Sequence, residues 1–135
     1  MIASAPVIVF LLVAAADGNV DRKEVAAFAK GLEANLSGKS SIMAGALARA
    51  VLHLEELIQA LAAESPVERA AMLVVALQLV ERDAGVPRAR IFARALYELG
   101  ENVAQASGGF MGFGNKIGKE EQVVLDALKK LLNLD

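Results

Sequence analysis

The chain contains no cysteine and no tryptophan. The first absence excludes disulfides, thiolate metal ligands and a thiol nucleophile, so redox chemistry sets no compartment. The second leaves one tyrosine and five phenylalanines among 135 residues, too few flat side chains to suggest a platform for nucleic-acid bases. No basic block exists either. Fourteen Lys and Arg stand against sixteen Asp and Glu, for a formal charge of −2, so a phosphate backbone has no landing site and no nucleic-acid partner is expected. His53 is the only histidine, and no nucleophile–histidine–acid set can be built around it from sequence. No useful stretch alternates with period two, which argues against a sheet.

What is present is alanine and aliphatic side chain. Apolar residues make up 56% and charged residues 22%, and the mean hydropathy is +0.46, above the usual range for a globular domain. The alanine excess favours close-packed helices. The length fits one domain over residues 1–135, with enough chain to bury a core without staples. Met1 to Ala16 carries no charge. It lacks the basic start of a signal peptide and falls short of the roughly 20 apolar residues of a membrane span. A buried helix is therefore expected there, and a cytoplasmic protein.

Helical spacing recurs along the rest. The first helix is expected over about Ala3 to Ala16, apolar on nearly all sides and hence central. A second opens at Asp21, where Asp21 and Glu24 form a pair like a capping box, and continues with Val25, Phe28, Leu32 and Leu36. A third region runs from about Ser41 to Ala63, with room for a bend near Gly45. Ser65-Pro66-Val67-Glu68 opens a fourth helix, with Ser as cap and Pro in the first turn. Its expected inward members are Val67, Ala71, Val74, Leu77 and Val80. A fifth spans roughly Pro87 to Ala106, with Ile91, Phe92, Ala95, Leu96, Leu99 and Val103 inward. A last helix covers about Lys119 to Leu132, with Val124, Ala127, Leu128 and Leu131 inward. The fold class expected is all-α, a bundle of six to seven helices.

Three helix junctions share a loose shape. Val20, Val86 and Ile117 stand between helices; Asp17, Asp83 and Gly114 lie three residues before; Glu24, Arg90 and Glu121 lie four residues after. The first junction alone has both acids. Asp17 and Asp83 fall at the C-terminal ends of their helices, where partial negative charge disfavours a carboxylate by about 0.3–1 kcal/mol. A cation nearby would reverse that, since carboxylates and orphan carbonyls form a hard-oxygen set suited to Ca²⁺ or Mg²⁺. The plainer alternative is structural: Asp17 makes a turn over Gly18, and Asp21 and Glu24 cap the helix. An EF-hand is excluded, because Arg22 and Phe28 occupy the positions of its required Gly and Glu.

An apolar, alanine-rich helix followed by Ala16-Asp17-Gly18-Asn19-Val20-Asp21-Arg22-Lys23-Glu24 resembles the TerB-like (tellurite-resistance) family. The family's junction reads Ala-Asp-Gly, a variable residue, an aliphatic, a helix cap and a Glu. Ser107-Gly108-Gly109-Phe110-Met111-Gly112-Phe113-Gly114, followed by Lys116-Ile117-Gly118-Lys119-Glu120-Glu121, looks like the closing part of some members. The middle departs from the pattern: Asp83-Ala84-Gly85-Val86-Pro87 supplies an Asp, but Arg90 replaces the acid and breaks the symmetry of a two-part site. The resemblance implies an all-helical stress-response domain without catalytic activity. It would bind a divalent cation through acidic residues or act as an adaptor near membrane-associated partners.

The candidate metal ligands are thus Asp17, Asp21 and Glu24, with Asp83 and Glu121 as remote contributors. The glycine-rich stretch fails as a phosphate loop, since Asn115 and Lys116 stand where Lys and Ser or Thr are required. Its Phe110, Met111 and Phe113 are read as docking into the bundle, or as an apolar surface for a protein partner or a second copy. His53 with Glu55 and Glu56 is read as structural, because their spacing converges poorly. Two functions are expected in order. The first is a non-enzymatic TerB-like domain that binds a divalent cation weakly. The alternative is a metal-independent interaction module using an apolar surface.

Overall fold

The computed structural model describes residues 2–14, 41–109 and 119–134, with the backbone alone for Ser41, 105–109, Glu120 and Glu121. Within these, the chain forms six helices and no strand. They are α1 (Ser4–Ala14), α2 (Ser41–Leu52), α3 (Leu54–Ala62), α4 (Pro66–Ala84), α5 (Val86–Gly109) and α6 (Lys119–Leu131).

α1 is the axis of the bundle. It packs against each of the other five described helices, most extensively α5 and α4. Its residues have no polar face to turn outward, and Val7, Ile8, Val9 and Phe10 are fully buried. Pro6 sits in the first turn, where its missing N–H is one the helix would not have paired. Eleven residues span about 16 Å, roughly half a bilayer's hydrocarbon core. No described helix is long and apolar enough to cross a membrane.

The third helical region divides, and the break falls at His53 rather than near Gly45. His53 leaves helical geometry at φ −123°, ψ 26°, while Gly45 stays inside α2. The first turn of α4 forms as its sequence directs: Ser65 is the cap, its Oγ accepts from the Glu68 N–H at 3.1 Å, and Pro66 follows at N1. At the other end Gly85 takes φ +93° and its N–H returns to the Glu81 carbonyl. That positive-φ glycine closes α4 and lets α5 begin at once at Val86. α5 is longer than its pattern suggests, running through Ser107-Gly108-Gly109.

The inward faces of α4, α5 and α6 need correction. α4 buries Arg69, Leu73, Ala76 and Val80, whereas Val67 is 79% exposed. The middle of the helix, from Ala70 to Leu77, is apolar on every side and offers several stripes of similar hydrophobicity, and the packing of α1 and α5 selects one of them. On α5, Phe92, Leu96, Leu99 and Val103 point inward as expected, but Ile91 is 52% exposed. On α6, Leu125 joins Leu128 in the core, and Ala127 is exposed.

Candidate functional site

Among the described residues, the concavity with the clearest chemistry is an open groove of about 370 Å³. It exists because α4 and α6 both pack on α1 but hardly on each other. The part of α1 at its floor is Leu11-Leu12, of which Leu11 is buried and Leu12 half-buried. Pro66 and Ala70 form one wall; Val123, Ala127 and Leu131, spaced four apart along α6, form the other. Val123 is 68% exposed at the edge. Volume and lining fall within the usual range for ligand sites, which are mostly apolar with few polar groups.

Among the described residues, the one charged residue lining the groove is Arg69. It keeps only 8% of its surface and is the sole buried charged side chain among the described residues. Arginine is rarely buried without a partner. Arg69 stands in the second turn of α4 and reaches back across the α3–α4 corner. Its Nη1 donates to the Leu61 carbonyl at 3.0 Å and to the Glu64 carbonyl at 2.6 Å. Leu61 stands in the last turn of α3, whose partial negative charge favours a cation, and Glu64 lies in the turn that follows. The clamp therefore has a structural role, holding the α3–α4 turn.

That role uses only half of the guanidinium. Both hydrogen bonds leave from Nη1. Nε is buried without any hydrogen-bond partner, a condition that costs about 1–3 kcal/mol in an interior. No carboxylate among the described residues forms an ion pair with Arg69. Of the donors left over, Nε–H is enclosed by the protein.

The expected cation site lies almost wholly elsewhere. Asp17, Asp21 and Glu24 lie outside the described residues, as do Phe110, Met111 and Phe113; of Glu121 only the backbone, in the first turn of α6, is described. Asp83 is described and lies one residue before the end of α4. Its Oδ1 accepts from Nε of Arg82 at 3.1 Å, and both side chains are exposed. The adjacent guanidinium thus offsets the unfavourable placement of a carboxylate at a helix C-terminus. Such an exposed pair contributes at most about 1 kcal/mol. His53 Nδ1 lies 3.8 Å from Glu56 Oε2, again in solvent. Among the described residues no three His, Cys, Asp or Glu side chains gather as a metal site would need.

Sequence reasoning missed Arg69. The signal was there: counting back from Leu73, Ala76 and Val80 at helical spacing places residue 69 on the buried stripe, and a charge in that register marks a buried polar contact. No family model, no curated protein and no solved structure matches the chain.

Proposed function

We propose that this chain is a metal-independent, non-enzymatic binding module whose working surface is the groove between α1, α4 and α6, which takes up an apolar group. The observation that carries this reading is an aliphatic concavity over the central helix, in which Arg69 is the one buried cation among the described lining residues. A bundle with 56% apolar composition has ample side chain to close such a gap. The test is binding of a neutral apolar dye, N-phenylnaphthylamine, in the presence of chelator. Its emission should rise with the wild-type chain and fall to background with Ala127→Trp, which fills the groove from an exposed position. Equal emission from the two proteins would overturn the groove as the binding surface.

A second proposal follows the TerB-like resemblance: a stress- or tellurite-resistance domain of the cytoplasm that binds Ca²⁺ or Mg²⁺ weakly through Asp17, Asp21 and Glu24. The observation in its favour is the exposed Asp83 carboxylate at the end of α4, which a cation could take from Arg82 without any burial. A ligand bound only by the folded state raises the melting temperature. Millimolar Ca²⁺, Mg²⁺ or Mn²⁺ at fixed ionic strength should therefore stabilise the wild type and not Asp17→Asn. The absence of any shift would count against this proposal and leave the first untouched.

A further inference from the structure

The outer face of α5 carries a charge pattern that complements itself. We propose that two copies of this chain associate through that face, with their α5 helices antiparallel about a two-fold axis at the level of Leu96. This surface is separate from the groove, which is built from α1, α4 and α6.

Ala89, Phe92, Ala93, Leu96 and Leu99 are buried and set the inner side of α5. On the opposite side Arg90, Arg94 and Glu98 are exposed and Glu101 is half-buried. At about 100° per residue these four fall within an arc of about 80°. They are sorted by sign along the helix. No acid stands between Val86 and Tyr97, and Glu98 and Glu101 follow. That order opposes the helix dipole, which favours acids at the start and cations at the end, so the stability of the helix alone does not explain it. Pairing within the chain does not explain it either. Among the described residues none of the four forms an ion pair. Arg94 and Glu98 are four apart, but in the weaker order for a pair on one helix.

Two-fold symmetry turns the sorting into a match. In an antiparallel isologous pair, residues equally far from the axis on opposite sides face each other. The midpoint of Arg94 and Glu98 falls at Leu96. The midpoint of Arg90 and Glu101 falls between Ala95 and Leu96, about 0.75 Å away along the helix. One axis therefore sets Arg94 against the partner's Glu98 and Arg90 against the partner's Glu101, and symmetry repeats both pairs. α5 is the longest described helix at 24 residues, or about 36 Å. The axis falls close to its middle, so the two helices overlap along most of their length. Ile91, 52% exposed between Arg90 and Arg94, lies at the edge of the contact, where an aliphatic side chain gains by leaving water. Other partners suit the face less well. A nucleic acid, an anionic membrane or an acidic peptide would meet Arg90 and Arg94 but be repelled by Glu98 and Glu101, whereas a second copy satisfies both halves.

Sedimentation velocity of the full chain over a concentration series tests the proposal. The wild type should show a monomer–dimer equilibrium that weakens about tenfold or more from low to high salt, because exposed charge pairs are screened. R94E and E98R should each weaken the dimer by at least about tenfold, since like charges then face each other twice. Mixed in equal amounts, R94E and E98R should dimerise with each other, because both pairings in the mixed dimer are again between opposite charges. Both substitutions are at exposed positions, and far-ultraviolet circular dichroism checks that each variant keeps its helices. The salt dependence is read on the wild type, so a folding defect in a variant does not obscure it.

A wild-type chain that stays monomeric at millimolar concentration in low salt would overturn the proposal. So would a dimer indifferent to salt, failure of the two variants to pair on mixing, or growth beyond the dimer, since an isologous contact closes on itself. A dimer that persists in R94E and is lost in Ala127→Trp would put the contact in the groove and overturn it as well.

Discussion

Two glycines inside helices allow the packing to be measured with one kind of substitution. Gly45 lies within α2, and a methyl group added there would meet nothing within 4 Å. Gly100 lies within α5, and the same methyl would meet Leu128 Cδ2 at 3.0 Å, Leu125 Cδ2 at 3.3 Å and Val9 Cγ1 at 3.3 Å. These neighbours come from α6 and α1, so moving away from one helix drives the methyl toward the other. Gly→Ala in a helix interior gains about 0.8–1 kcal/mol in propensity. At Gly45 that gain should appear whole, as a stabilisation of about 1 kcal/mol. At Gly100 overpacking opposes it with about 1–3 kcal/mol, for a net change between near zero and about 2 kcal/mol of destabilisation. The propensity term is common to both sites, so the difference between the variants isolates the crowding. Urea unfolding of the two variants, compared at constant m, gives both free energies. In a Leu128→Ala background Gly100→Ala should cost less than in the wild type, because the closest contact is then gone. If Gly100→Ala is stabilised as much as Gly45→Ala, the three-helix contact at Gly100 is not as close as the structure has it and the packing argument fails.

Two further outcomes follow from single contacts. Ser65→Ala removes the acceptor for the Glu68 N–H and should cost about 1 kcal/mol in denaturant unfolding, within the usual range of about 0.5–2; no measurable loss would mean that water replaces the cap. Tyr97 has its pKa raised above 10.0 by burial, then by the nearby carboxylates of Glu101 and Asp126. The folded chain therefore holds the phenolic proton more tightly than the unfolded chain. Tyr97 leaves stability unchanged below pH 10 and should lower it as pH rises from there through the raised value. As the only tyrosine, it makes this directly visible: ultraviolet phenolate absorbance should titrate at higher pH in the folded protein than in denaturant, and coincident curves would contradict the burial.

The composition and periodicity made the helices legible. Ser65-Pro66 and the Gly85 turn are local devices, and each forms where its residues require it. α1 was legible as the central helix because it has no polar face at all. The internal faces of α4 and α5 were less so. In Ala71-Met72-Leu73-Val74-Val75-Ala76-Leu77 every direction is apolar, so spacing alone does not choose between the stripe through Val74 and the one through Leu73. The acidic junction that drew attention in the sequence, Asp17 to Glu24, lies outside the described residues, and Asp83 is engaged by its own neighbour.

By itself the sequence determined an all-helical chain, the start of α4 at Ser65-Pro66 and its stop at Gly85, and the helix too apolar to lie anywhere but the middle. These depend on backbone propensity and on water's exclusion of aliphatic surface, which act residue by residue. Tertiary structure decided what no local rule contains: which stripe of α4 turns inward, that Gly100 is where α1, α5 and α6 meet, and that α4 and α6 stand apart over Leu11 and Leu12. It also carried Arg69 back to the end of α3 and left half its donors unspent. A buried charge acquires its partners, or lacks them, only when separate helices are brought together in space.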